Sequence, residues 1–557
     1  MMTPPVMTPA RRSVAAGCAA LGLLALLLAF YRLGDMALLD PDEARYAQTS
    51  REMAQRGDWV VPYYNGEPRL KKPPLYHWEN IATFALFGVN EWAARLPSAL
   101  AYLALIAATV AFGRRERGWT AGLRAGAIVA TVPLAFVAGR MVLLDMTLSL
   151  LIAAALFVFW QADRGGIRAI PGSVLVGALT GLAILVKGPV GILLPALIMA
   201  VFCLSQGEWR RLLRWQEIVV ALGVSLAFAI PWLALVIGRV GLGPFWSVAF
   251  RETVERYADT GLDHPQPAWF YLGVLVLAAF PWSAFLLPAF VTGILRYLVR
   301  RRGVSAEPTA RLASFLWIWI AGTLAFFSIG RGKLATYILP LMPAVGLLLS
   351  LEWERWTGAG QASPRKRRLI TVEWTTALVL ILPAVGLTWL VVEWDPAHSN
   401  AFLQYWRAFL VLAVAVAGGT IIFSASRWRG AVVPLLAGCL AVFYLYGVSI
   451  AGGRLEEARS LRIMVRESGL DRMPGTRMCV YRDYHPSLVF YTNRRVERAD
   501  AKDDLREFLA QPGDAVVVMD ADRLAALSPR LSSQLEPIAR QGRQIALRRI
   551  FSPGAAR

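Results

Sequence analysis

The sequence predicts a polytopic α-helical membrane protein with a small α/β domain at its C-terminal end, and three observations carry that reading. Apolar residues make up 56% of the chain and charged residues only 17%, and mean hydropathy is +0.48; no soluble domain of this length is composed that way. Long apolar stretches recur from Ser13 to about Tyr446. The connections between them alternate between arginine-rich and chemically mixed.

A spanning helix needs about 20 predominantly apolar residues, and about thirteen stretches meet or approach that length. They lie near 13–33, 95–113, 120–138, 143–161, 171–186, 188–205, 216–237, 268–295, 311–329, 334–351, 371–393, 402–423 and 430–449. The pair meeting at Lys187-Gly188-Pro189 consists of two short halves. The first stretch follows Arg11-Arg12; it is too long for a signal peptide and lacks a small-x-small cleavage site, so it reads as an anchor. The arginine-rich connections are Arg114-Arg115-Glu116-Arg117, Arg210-Arg211, Arg300-Arg301-Arg302 and Arg365-Lys366-Arg367-Arg368. The positive-inside rule makes them cytoplasmic. The other face then holds Asp40-Pro41-Asp42-Glu43, Lys71-Lys72, Asp145, Lys187, Arg256, His264, Arg331 and Lys333. Much of the net charge of +20 sits in the cytoplasmic loops, where it faces anionic headgroups; nucleic acid is not an expected partner. Cys18, Cys203 and Cys439 fall in apolar spans and Cys479 stands alone, so no disulfide framework or metal-type CxxC is present.

Two segments are not membrane. The first outer loop, 34–78, opens on a helix start with Asp40 at N-cap, Pro41 at N1 and Glu43 at N3. That helix should reach about Gln55 and stop at Gly57, after which Pro62, Gly66, Pro68, Pro73 and Pro74 impose an extended or turning path. The second segment, 452–557, follows a membrane domain of residues 1–451. Strand-like runs at Arg477–Tyr481, Ala515–Met519 and Gln544–Ile550 alternate there with helical patterns at 455–468, 502–510 and 529–540. About 100 residues of this kind support a modest α/β core.

Asp42, Arg45 and Tyr46 fall at i, i+3 and i+4 and share one helix face. Capping accounts for Asp40 and Glu43, whereas Asp42 gains only about 0.3–1 kcal/mol from the helix dipole, which leaves room for a catalytic role. Asp145 stands just inside an apolar helix, at a cost of about 2.5–3.5 kcal/mol if it lay at the bilayer centre. Either a structural pair with Arg140 or Lys187, or a site, must offset that cost. Lys187, Arg331 and Lys333 occupy tight glycine-bearing turns, and with Lys71, Lys72 and Arg256 they place six cations where topology does not call for them. Snorkelling covers two or three of the six. An anionic phosphate at the membrane boundary accounts for the set, because glycine lets backbone N–H groups approach it. Tyr337 lies one turn beyond Lys333 and either joins that region or belongs to an interfacial aromatic belt. His264 is one of four histidines; a divalent metal between it and Glu43, Asp42 or Asp40 is an alternative that no ligand spacing supports. Glu252 and Glu255 lie near Arg251 and Arg256 and read as their ion-pair partners. A phosphate-headed lipid fits the whole pattern, and if the phosphate carries a sugar the carboxylates have work at the anomeric carbon.

The stretch Leu39-Asp40-Pro41-Asp42-Glu43-Ala44-Arg45-Tyr46, with Gly57-Asp58-Trp59 and Lys72-Pro73-Pro74-Leu75-Tyr76, resembles the first outer loop of integral-membrane glycosyltransferases of GT-C type. Members related to protein mannosyltransferases and to bacterial lipid A aminoarabinose transferases are most similar. Leu143-Leu144-Asp145 resembles their second acidic position. The segments His264-Pro265-Gln266-Pro267-Ala268-Trp269-Phe270-Tyr271 and Gly332-Lys333-Leu334-Ala335-Thr336-Tyr337-Ile338-Leu339-Pro340 resemble the aminoarabinose branch in particular. The likeness spans roughly residues 30–345.

The resemblance implies transfer of 4-amino-4-deoxy-L-arabinose from undecaprenyl phosphate to a phosphate of lipid A, at the periplasmic face of the bacterial inner membrane. It implies Asp42 as the principal catalytic carboxylate, Asp145 in support, and Lys72, Arg256, Lys333 and Tyr337 on the donor phosphate. Arg45, Tyr46, Lys71, Lys187 and Arg331 are further donor-site candidates, and His264 and Glu43 are the candidates for a metal. Lys71 departs from the pattern, since some members of the branch carry an acid there. Three rival readings stay open: a protein mannosyltransferase-like enzyme, a lipid-linked sugar transporter or flippase, and a structural or assembly role in which the tail domain docks partner proteins.

Overall fold

The computed structural model describes residues 9–250, 266–300, 309–330, 332–357 and 431–550. Arg256, His264, Arg331 and the expected spans 371–393 and 402–423 lie outside them.

The bundle is built from α1 (Pro9–Phe30), α4 (Glu91–Arg117), α5 (Trp119–Thr131), α6 (Pro133–Ala138), α7 (Leu144–Asp163), α8 (Ala169–Lys187), α9 (Val190–Ser205), α10 (Trp215–Val240), α11 (Leu242–Phe250), α12 (Phe270–Ala278), α13 (Ser283–Arg300), α14 (Ala310–Ile329), α15 (Met342–Thr357) and α16 (Val432–Arg459). Between α1 and α4 lie α2 (Asp42–Arg56) and α3 (Leu75–Phe87). Among the described residues, eight helices are long and apolar enough to cross a membrane, or nine if one bent pair counts as a span.

Proline explains where the expected spans break. The span read at 120–138 is two helices, because Pro133 lacks an amide hydrogen and holds Val132 extended, at φ −67° and ψ 123°. The span at 268–295 is the bent pair: Pro281 separates α12 from α13, which meet at 119°. At Lys187-Gly188-Pro189, α8 and α9 fold back against each other. A Cβ on Gly191 would come within 2.4 Å of the Ala183 backbone, so only glycine permits that approach.

Aromatic rings fill the bundle interior, with Trp160, Phe202, Phe315 and Trp319 packed between α7, α9 and α14. At the end carrying the arginine-rich connections, Asp163 pairs with both Arg211 and Arg311, and Arg311 also meets Glu208 at 2.8 Å. At the other end Arg140 donates to the carbonyls of Leu28, Ala29 and Tyr31, satisfying the last turn of α1. It is therefore not the partner of Asp145.

The first outer loop closes that second end. α2 starts one turn position later than a capped start implies: Pro41 is its N-cap and no side chain caps it. Its C-terminus falls where expected, with Gly57 in the left-handed conformation at φ 64°. Asn65-Gly66 then turns the chain between β1 (Tyr63–Tyr64) and β2 (Glu67–Pro68), both turn residues having positive φ as a type I′ hairpin demands. The sequence places no helix between Pro74 and the span expected at 95–113; α3 begins at Leu75, just after Pro73-Pro74.

α16 continues through the expected domain boundary at 451/452 to Arg459. Beyond it come α17 (Arg462–Ser468), α18 (Pro486–Thr492) and α19 (Lys502–Ala510), around a sheet of β3 (Arg477–Tyr481), β4 (Val496–Ala499), β5 (Ala515–Asp520), β6 (Leu535–Gln541) and β7 (Gln544–Arg549). Strand order is β4-β3-β5-β7-β6, parallel between β4, β3 and β5 and antiparallel beyond. Central β5 is buried on both faces, which explains its unbroken Ala-Val-Val-Val-Met run. Residues 529–540, expected helical, form a short turn of helix at 529–532 and then β6. Pro537 is tolerated there because β6 is an edge strand.

Candidate active site

α2 is polar in sequence yet carries nine buried residues, because it lies between α3 below and α18 above. One face presents Asp42, Arg45 and Tyr46. Arg45 pairs with Asp42 within the first turn, their side chains 19% and 41% exposed. The guanidinium also lies 5.9 Å from the Tyr46 ring and 6.0 Å from the Tyr484 ring. Its Nε is buried and makes no hydrogen bond among the described residues. Tyr46 is buried edge-on against Tyr76, with ring centroids 6.2 Å apart. Burial, then the negative charge of Asp42 and Asp145, holds its phenol well above the usual range, so it acts as a neutral hydroxyl. Beneath it, Ser50 Oγ and His77 Nδ1 lie 2.9 Å apart, and burial pushes His77 down to about 3. That imidazole is a neutral packing group.

Asp145 stands in the first turn of α7 and Lys187 in the last turn of α8, and the two form an ion pair with side chains 10% and 13% exposed. Of the partners considered for Asp145, Lys187 offsets the cost of burying its charge. The Lys187 ammonium also sits 4.2 Å from the Tyr337 ring centroid. Phe327 packs between Tyr337 and Tyr271. Tyr271 in turn donates to the Leu334 carbonyl at 3.3 Å, while Lys333 Nζ donates to the Gln266 carbonyl at 2.9 Å. The 266–271 and 332–340 segments, far apart in sequence, thus meet at one end of the bundle. Lys72 is half-buried and Lys71 exposed on the turn leading into α3.

Two assignments need correction. Glu43 is no metal ligand: both its oxygens take Arg95 at 2.9 Å, and they also accept the Leu39 N–H at 3.0 Å and the Val142 N–H at 2.9 Å. Arg95, fully buried, further donates to the carbonyls of Leu33, Met36 and Ala37. This pair bolts the first loop to α4 and leaves no carboxylate lone pair facing a site. Asp40 is not an N-cap, because its carboxylate accepts from the Ser487 N–H at 2.6 Å and the Ser487 hydroxyl at 2.5 Å. Among the described residues no three His, Cys, Asp or Glu side chains gather closely enough to hold a metal ion; His264 lies outside them.

Sequence reasoning missed Glu79. Its Oε2 accepts from Thr147 Oγ1 at 2.9 Å, two residues beyond Asp145, and burial raises its carboxyl to about 7 against the opposing pull of that bond. A signal existed: Glu79 is the only acid in the thirteen residues of α3. The end of the bundle therefore offers one wet carboxylate held by an arginine, neutral phenols, a buried ion pair, and cations on the surrounding loops. Such a site can seat an anionic headgroup while stabilising positive charge on a sugar.

Residues 71–235 match the dolichyl-phosphate-mannose-protein mannosyltransferase family. The chain is 30% identical over 432 residues to the undecaprenyl phosphate-alpha-4-amino-4-deoxy-L-arabinose arabinosyl transferase of Erwinia tasmaniensis, covering 75% of each chain. It is 29% identical over 416 residues to the transferase of the same name from Enterobacter sp., covering 69% of this chain and 72% of the relative. Among solved structures it matches ArnT from Cupriavidus metallidurans bound to undecaprenyl phosphate, with a TM-score of 0.80, 25% identity, and 97% and 99% of the two chains covered. The archaeal oligosaccharyltransferase AglB from Archaeoglobus fulgidus shares the fold at a TM-score of 0.53 and 13% identity, over 92% of this chain and 70% of that one.

Proposed function

The chain belongs to the undecaprenyl phosphate-alpha-4-amino-4-deoxy-L-arabinose arabinosyl transferase family of multi-pass membrane glycosyltransferases, and from that premise we propose its reaction. It moves 4-amino-4-deoxy-L-arabinose from undecaprenyl phosphate to a lipid A phosphate at the periplasmic face of the bacterial inner membrane. The observation that carries this reading is the fold match over 97% of the chain to a relative solved with undecaprenyl phosphate. The clustering of Asp42, Arg45 and Tyr46 above the Asp145–Lys187 pair supports it.

The anomeric carbon–oxygen bond breaks with the polyprenyl phosphate as leaving group. Lys72, Arg256, Lys333 and Tyr337 hold that phosphate and stabilise the charge it gains. Lys71 and Arg331 add to the cationic field around it. Lys187 is already balanced by Asp145 and the Tyr337 ring, so in this reading it holds Asp145 rather than the phosphate. The acceptor phosphate is anionic near neutral pH and needs no base. Asp42 therefore orients the donor and stabilises oxocarbenium charge, with Arg45 and Tyr46 fixing its direction.

The test is transfer from undecaprenyl phosphate-linked aminoarabinose to lipid A by the purified chain, read as a mass gain on lipid A. Asp42→Asn should abolish transfer while donor binding persists, and full activity in that variant removes Asp42 from the mechanism. The mannosyltransferase match over residues 71–235 keeps a second reading: transfer to a peptide hydroxyl with lipid A untouched would favour it.

A further inference from the structure

The region after α16 meets the start of α2 and Arg45 through the short segment Asp483–Ser487, which runs from just after β3 into the first turn of α18. Ser487 binds the Asp40 carboxylate through its amide and its hydroxyl. His485 lies between two acids, with Nδ1 3.3 Å from Asp40 and Nε2 3.2 Å from Asp483. Tyr484 turns the other way: its ring is 6.0 Å from the Arg45 guanidinium and 6.3 Å from the Tyr64 ring.

These contacts fall on the start of α2. Its first turn carries Asp42 but has no side-chain cap, and an uncapped helix start frays readily. On one side Glu43 holds it to Arg95; on the other Asp40, two residues upstream of Asp42, ties it to a segment more than 440 residues away in the chain. Arg45 is likewise held from both sides, by Tyr46 of its own helix and by Tyr484.

We propose that the Asp483–Ser487 segment is a working wall of the transfer site. Tyr484 positions Arg45 and, through it, Asp42, while His485 and Ser487 pin Asp40 at the foot of α2. The proposal rests on the reading of Asp42 as the catalytic carboxylate. Docking of the C-terminal region does not itself depend on Tyr484. Tyr491 meets the Leu38 amide at 2.8 Å, Arg51 the Phe490 carbonyl at 3.0 Å, Arg462 meets Glu91 at 2.7 Å, and Asn65 exchanges two hydrogen bonds with the Val496 backbone. Removing the Tyr484 ring therefore leaves the region attached and tests positioning alone.

The experiment uses the full chain in lipid nanodiscs, with Tyr484→Ala and Tyr484→Phe measured for transfer and for hydrogen exchange of residues 39–56. Loss of the ring should lower kcat about tenfold with donor KM within about twofold, and should raise exchange in the first turn of α2 while the sheet stays protected. Tyr484→Phe, which keeps the ring, should restore most of the lost kcat. Wild-type kcat in Tyr484→Ala overturns the proposal, as does a loss that appears in donor KM alone. If the wild-type chain transfers no aminoarabinose, the functional reading fails instead. The exchange measurement, which needs no substrate, then still decides the wall: unchanged exchange in Tyr484→Ala sinks it.

Discussion

Two acid–base pairs, Asp42–Arg45 and Asp145–Lys187, look alike in the sequence and differ in what surrounds them. The first sits on a loop helix with the Asp42 side chain 41% exposed; the second is built into the bundle with both partners at 13% or less. An exposed pair contributes little to stability, because water screens it. A buried pair is different: each charge exists there only because the other offsets its desolvation. Asp42 is thus free to serve chemistry, whereas Asp145 first has to serve the fold. The two should fail differently when neutralised.

The largest effect expected is on catalysis. Asp42→Asn should cost transfer at least about a thousandfold, roughly 4 kcal/mol of transition-state stabilisation, with the melting temperature unchanged. A fall in both together would break the contrast between the pairs. Next comes Glu43→Ala, which strands the fully buried Arg95 and should destabilise the chain by about 3–5 kcal/mol, read by thermal unfolding in detergent. It serves as the calibration for a purely structural acid. Asp145→Asn should fall between these limits. It should lower stability by about 2–3 kcal/mol and reduce transfer in proportion, since Lys187 then loses its partner against the Tyr337 ring. Normal stability with abolished transfer would move Asp145 into the same class as Asp42.

Local signals in the sequence were read correctly where local forces decide the structure. Gly57 ends α2 because only a left-handed residue closes that turn, and most spans follow from apolar length alone. Tertiary contacts decided the rest. Asp40-Pro41-Asp42-Glu43 has the spacing of a capped helix start, but Asp40 is taken by Ser487 and Glu43 by Arg95 together with the Leu39 and Val142 amides. Neither partner is predictable from neighbouring residues. α3 was missed because thirteen residues are too few to span a membrane, and paired prolines before it read as loop. β6 was misread because Pro537 argues against a strand until its edge position is known. For the site, the spacing of Asp42, Arg45 and Tyr46 was legible, and Lys187 was one of two partners considered for Asp145. Glu79, Tyr484 and His485 were not legible, since each matters only through a residue brought to it by the fold.

The smallest effect expected concerns pH, and it sharpens the contrast by adding a third kind of pair. Burial works against a charge on His485, but the neighbouring carboxylates of Asp40 and Asp483 outweigh it and raise the imidazole from 6.5 to about 9. Asp483 itself is held by Gln544 at 3.0 Å and approached by Arg523 at 3.9 Å, so those groups face the same cluster. A raised folded-state pKa means that the folded chain binds the proton more tightly than the unfolded one. The stabilisation is therefore complete below about pH 6.5 and lost as pH climbs through about 9, a decline of about 1–2 kcal/mol. Glu79 acts in the same direction in a lower window, since its carboxyl rises from 4.5 to about 7. Thermal melts of the full chain between pH 5 and 10 should show both declines. His485→Asn should flatten only the upper one and Glu79→Gln only the lower one. An upper decline that survives in His485→Asn would show that the charged imidazole does not hold Asp40, and that Ser487 alone does.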